Sequence, residues 1–148
     1  ANMQDRFTHQ VRAAFIEGSL IAGRRGMQEY GALDVLLGLV DLYGGRRHVL
    51  VTRVLDDHGL TGEALTTTAS QVYEAKSSTH GYMDGAPDLE AACQRILTVC
   101  DDGPIKPEHL LYGLVTGDDT DQVSVVLARH GVDRERMAQQ LLRLPVSA

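Results

Sequence analysis

The sequence predicts an all-α fold of eight helices in two tandem sets of four, and two repeated features carry that prediction. Leu33 to Val40 reads Leu-Asp-Val-Leu-Leu-Gly-Leu-Val, and Glu108 to Val115 reads Glu-His-Leu-Leu-Tyr-Gly-Leu-Val. In the two copies Leu36, Leu37 and Val40, and Leu111, Tyr112 and Val115, fall on one helical stripe. Both copies also run on to the same kind of ending, His58-Gly59-Leu60 and His130-Gly131-Val132, each after an apolar-bearing segment. A His in the last turn, a Gly just beyond it and then an aliphatic residue is the composition of a Gly-capped helix end. Gly38 and Gly113 stand 75 residues apart and Gly59 and Gly131 stand 72 apart, so the chain reads as an internal duplication.

Each element follows from local signals. Thr8 is a good N-cap for a first helix through about Gly23, with Val11, Ala14, Phe15 and Ile21 at helical spacing. Gly26 to Gly31 reads as a loop, the repeated helix as Ala32 to Tyr43, and Gly44-Gly45 as its break. A Gly inside that helix costs about 1 kcal/mol against Ala, so its recurrence predicts another backbone packed closely against it. A third helix turns Val49, Leu50, Val54 and Leu55 inward, and Thr61 caps a fourth carrying Leu65, Val72 and Tyr73. Lys76 to Pro87 is Ser/Gly-rich without periodicity and reads as the linker between repeats spanning about 6–75 and 88–144. In the second set Asp88 caps a helix with Leu89, Ala92, Cys93, Ile96 and Leu97, and Pro107 suits the first position of the repeated helix. Asp121 caps a helix bearing Val123, Val126 and Leu127, and Asp133 caps the last, bearing Met137, Leu141 and Leu142.

Composition narrows the function classes. With 148 residues and 43% hydrophobic content the chain can bury a proper core. Its net charge is −6 and its basic residues cluster no further than the pairs Arg24-Arg25 and Arg46-Arg47, which argues against a nucleic-acid partner. Apolar runs fall far short of a membrane span and no charged-then-apolar leader opens the chain, so the expectation is a cytoplasmic protein with no membrane contact. Cys93 and Cys100 are seven apart on what reads as one helix, about 10 Å along the axis, which predicts two buried thiols and no disulfide.

No catalytic constellation stands out. His9, His48 and His80 have no Ser, Cys or acidic partner at a recognisable spacing, and no phosphate-binding Gly-x-x-x-x-Gly-Lys-Ser/Thr motif occurs. His58 and His130 fit helix C-termini, where a partly charged imidazole is favoured, better than a pair of metal ligands. Asp118-Asp119-Thr120-Asp121 lacks the Gly and distal Glu of a calcium loop and reads as a solvated turn ending in an N-cap. The expectation is a non-enzymatic protein with no cofactor and no metal.

The order of these motifs resembles the Clp N-terminal domain, the double repeat that precedes the ATPase rings of ClpC- and ClpA-type unfoldases. The likeness spans roughly Arg6 to Leu144 and rests on Phe7-Thr8 opening a long helix, the Leu-Leu-Gly-Leu-Val helix, the Leu-x-x-x-Gly ending and the duplication of the whole. It implies a docking module for Clp protease subunits, adaptors or tagged substrate proteins, acting as an adaptor, decoy or regulator. Phosphoarginine-marked proteins and antibiotic cyclic peptides are the ligands the resemblance implies, and sequestering of such peptides is the alternative function. The family starts its repeated helix with Gly-Thr-Glu-His, whose Glu can pair with a guanidinium while helix N-terminal N–H groups take a phosphate. Here the second repeat reads Lys106-Pro107-Glu108-His109, keeping Glu and His, and the first reads Gly31-Ala32-Leu33-Asp34, with Ala32 and Leu33 in a degenerate pocket. Glu108 is equally readable as a carboxylate favoured by the helix dipole. The resemblance further implies an apolar docking surface of Phe7, Tyr82 and Met83, although Gly85-Ala86-Pro87 replaces the family's Phe-Thr-Pro.

Overall fold

The computed structural model describes residues 3–27, 29–45, 50–77 and 85–144, and within them the chain forms eight α-helices and no strand. The helices are α1 (His9–Arg24), α2 (Ala32–Tyr43), α3 (Leu50–Asp57), α4 (Gly62–Ser77), α5 (Gly85–Val99), α6 (Pro107–Val115), α7 (Gln122–Arg129) and α8 (Arg134–Leu142), preceded by a 3-10 turn, Met3–Arg6. The repeated stretches are α2 and α6, and they form the centre. Every residue of α2 from Ala32 to Val40 is buried, as are Leu110, Leu111, Gly113, Leu114 and Val115 of α6. A helix apolar on all sides belongs inside, and here both copies feed one continuous core to which helices of both sets contribute.

The two central glycines are explained by close helix approach. A Cβ at Gly38 would lie 2.7 Å from the carbonyl oxygen of Ala14 and 3.0 Å from the nitrogen of Gly18, so α1 packs backbone to backbone on α2. At Gly113 the equivalent Cβ would lie 2.6 Å from the carbonyl oxygen of Ala92 on α5. The matching helix ends are equally alike. Gly59 and Gly131 have φ of 68° and 70°, and the N–H groups of Leu60 and Val132 donate to the carbonyls of Leu55 and Leu127, both at 3.0 Å. These are two Schellman closures built from the same residue pattern. Side chains close the N-termini as expected: Thr8 accepts from the N–H of Val11 at 3.3 Å, Asp121 from Ser124 at 2.8 Å and Asp133 from Arg136 at 3.0 Å.

Several expectations need correction. The segment read as a linker from Lys76 to Pro87 is trimmed at both ends, because α4 runs to Ser77 and α5 already begins at Gly85. Pro87 fits the first turn of α5, where its missing N–H has no intrahelical partner to lose, and Asp88 therefore lies within that turn instead of ahead of it. Leu50, Leu97 and Leu142, read as inward-facing, are 38%, 40% and 52% exposed, since Val51, Ile96 and Leu141 beside them take the buried positions. Cys100 is buried but Cys93 only half so, and neither is bonded to the other. Val49, His48 and His80 lie outside the described residues.

Candidate functional site at the start of α6

Lys106 is the N-cap of α6, with an extended backbone at φ −101° and ψ 166°. Pro107 follows as the first helical residue and is buried, and Glu108 is half-buried. The next residue, His109, turns back, and its Nδ1 accepts the N–H of Lys106 at 3.0 Å. That bond requires an unprotonated Nδ1 and so fixes the neutral ring with its proton on Nε2. Burial lowers the His109 pKa below its ordinary value; Lys106 and Arg6 lower it further, while Glu108 and Asp101 act in the opposite sense. With the Lys106 N–H used, Pro107 lacking one and His109 N–H given to the Lys106 carbonyl at 3.0 Å, the N–H of Glu108 is the first-turn donor that makes no bond among the described residues. A half-buried carboxylate and one open N–H stand together on this turn, and the Arg6 and Lys106 charges act on the neighbouring His109.

The opening segment is stitched to this end of α6. Thr8 N–H donates to the Ile105 carbonyl at 3.1 Å and Ile105 N–H to the Arg6 carbonyl at 2.8 Å, a single parallel bridge. Arg6 reinforces it from its side chain, with Nε on the Gly103 carbonyl at 3.1 Å and Nη2 on the Asp101 carbonyl. Phe7 is thereby held next to Ile105, and its half-buried ring stacks on Phe15 at 4.9 Å, with Tyr30 edge-on to Phe15 at 6.4 Å. Tyr82 and Met83, its expected companions in an apolar surface, lie outside the described residues.

The equivalent turn of α2 has other chemistry. Ala32 and Leu33 are 3% and 1% exposed and belong to the core, so the position matching Glu108 faces no solvent. Asp34, matching His109, performs the same capping task, accepting from the N–H of Gly31 at 2.9 Å. It does more, because its other oxygen takes Arg25 Nη2 at 2.6 Å and the Tyr73 hydroxyl at 2.5 Å. The Arg25 guanidinium also lies over the Tyr73 ring, 3.5 Å from its centroid. Burial, and next to it the Asp34 charge, pushes the Tyr73 phenol well above its ordinary pKa, so it stays a donor. Sequence reading missed this trio; the signal was an Asp three residues after a Gly N-cap, where the other copy has His.

Asp118 to Asp121 is a turn whose Asp121 caps α7, and among the described residues no group of three or more His, Cys, Asp or Glu is placed to hold a metal. His58 sits at the end of α3, where Nε2 meets Gln140 Oε1 of α8 at 3.0 Å, and His130 is the C-cap of α7. No described helix is long and apolar enough to cross a membrane.

No family model and no curated protein matches the chain. Among solved structures it is similar to the N-terminal domain of the caseinolytic protease associated chaperone ClpD from Arabidopsis thaliana, with 22% identity, a TM-score of 0.66 and 93% of each chain covered. The expectation from the repeated motifs holds at the level of architecture: the chain has the all-α fold of a Clp N-terminal domain.

Proposed function

We propose that this chain is a non-catalytic protein-docking module of the Clp N-terminal type, and that its ligand contact is the start of α6. The observation that carries the reading is the half-buried Glu108 carboxylate on a first turn whose own N–H is open. A guanidinium pairs with the carboxylate, and a phosphate on it meets the N–H and the positive end of the helix dipole, the combination a phosphoarginine-marked substrate presents. Pro107 leaves fewer backbone donors than a Thr there would, so the site binds this group with modest affinity. The start of α2 offers no such contact, which makes the module single-sited. Its role is that of an adaptor, decoy or regulator around a Clp protease.

Calorimetric titration with free phosphoarginine tests the reading. The expected result is a single site that disappears in Glu108→Ala. Heat that is unchanged in the variant, or no heat from the parent protein, overturns the phosphoarginine assignment, and failure to capture a Clp subunit, adaptor or marked substrate with the immobilised protein overturns the docking role.

A further inference from the structure

A cleft of about 290 Å³ opens between α1, α2 and α4, and it shares no residue with the start of α6. Ile21 and Leu37 give it an apolar lining, Tyr73 with its stacked Arg25 forms one wall, and the exposed Asp41, Thr66 and Ser70 stand at its mouth. Its volume is at the small end for ligand pockets, which suits one side chain better than a whole small molecule.

The charges in the cleft are matched except for one. Arg24 pairs with Glu17 at 2.9 Å and Arg25 with Asp34 at 2.6 Å, whereas the Asp41 carboxylate has no hydrogen bond or ion pair among the described residues. The hydroxyls beside it have spent their protons. Thr66 donates to the Gly62 carbonyl at 2.7 Å and Ser70 to the Thr66 carbonyl at 3.0 Å, so both oxygens have lone pairs alone to offer. Asp41, Thr66 and Ser70 thus offer acceptors and an unmatched negative charge over an apolar lining, in a cleft that the Arg24–Glu17 pair also lines.

We propose that this cleft receives a lysine side chain of a partner polypeptide, the ammonium at Asp41, Thr66 and Ser70 and the methylene stem on Ile21 and Leu37. An ammonium supplies three donors and no acceptor, and the stem of such side chains packs on apolar surface while the charge stays near water. Leu20, 53% exposed and on the same turns of α1 as Glu17, Ile21 and Arg24, continues the apolar surface for residues flanking the lysine.

The test is an amide-resolved NMR titration of the whole protein with N-acetyl-lysine methylamide, its norleucine counterpart and its glutamate counterpart. The expected result is saturable shifts at Ile21, Leu37, Asp41 and Ser70 with the lysine compound, binding about threefold or more weaker for norleucine, and weakest for glutamate. Asp41→Asn, at an exposed position, is expected to reduce lysine binding to the norleucine level. Equal binding of lysine and norleucine, an Asp41→Asn variant that binds lysine like the parent, or no saturable shift at these amides overturns the proposal. A Glu108→Ala protein is expected to behave like the parent here, which separates this site from the one on α6.

Discussion

The first turns of α2 and α6 occupy the same place in the two sets of helices and solve the same backbone problem, yet one is sealed and the other open. In both, the third helical residue folds back on the N-cap: Asp34 on Gly31 at 2.9 Å, His109 on Lys106 at 3.0 Å. Asp34 spends its remaining capacity on Arg25 and Tyr73, and the residue before it is a core Leu33. His109 has no such trio, and the residue before it is the half-buried Glu108. The lesson is that a backbone device shared by the two copies leaves the chemistry of the turn to its neighbours: the α2 copy is sealed in the core, and the α6 copy presents a half-buried carboxylate.

The largest expected effect comes from dismantling the sealed copy. Asp34→Ala strands Arg25 and the Tyr73 hydroxyl and reopens the Gly31 N–H, and it should cost about 3 kcal/mol in denaturant unfolding. An Asp34→Ala protein as stable as its parent would show that the trio is incidental. Gly38→Ala comes next. Its Cβ would press on the Ala14 carbonyl, so a loss of about 2 kcal/mol is expected. The same substitution at Gly23, where a Cβ meets nothing within 4 Å, should be neutral or stabilising by up to about 1 kcal/mol.

A pH effect singles out the open copy. The folded His109 has a pKa below 6.5 because burial disfavours its charged form, while in the unfolded chain it takes up a proton at its ordinary value. Its contribution to stability is therefore complete above the unfolded value and is lost as pH falls from there through the folded one. His109→Asp, which imports the residue of the first copy, should flatten unfolding stability measured between pH 7 and the acid limb; an unchanged slope would exclude His109 as its source. The smallest difference between the copies falls where they agree. Ala at Gly59 or at Gly131 meets the same left-handed backbone and should cost about 1 kcal/mol at either site, equal within error by thermal unfolding.

How much of this could be read from the chain depends on how local each signal is. The α2 and α6 helices, their glycines and the two Schellman endings were legible because each is written within one helix and its next few residues. The Phe7 to Ile105 bridge was not, since its partners are nearly a hundred residues apart and no pattern in either segment announces the other. The Arg25, Asp34 and Tyr73 trio gathers residues from three elements, and the Asp three residues after Gly31 signals the cap alone and neither of its distant partners. The start of α5 was misplaced because Gly85-Ala86-Pro87 continues a Ser/Gly-rich run without periodicity, although a proline in a first turn breaks nothing. At the candidate site the Glu108 and His109 identities were visible; the neutral ring holding the Lys106 N–H was not.

The contrast between the two turns is tested most directly by mapping free phosphoarginine onto the protein, amide by amide, in an NMR titration. The account predicts saturable shifts at Glu108, His109 and the adjoining Phe7 and Thr8, with Gly31 to Asp34 unmoved. Shifts centred on Gly31 to Asp34, or equal at both turns, would contradict it.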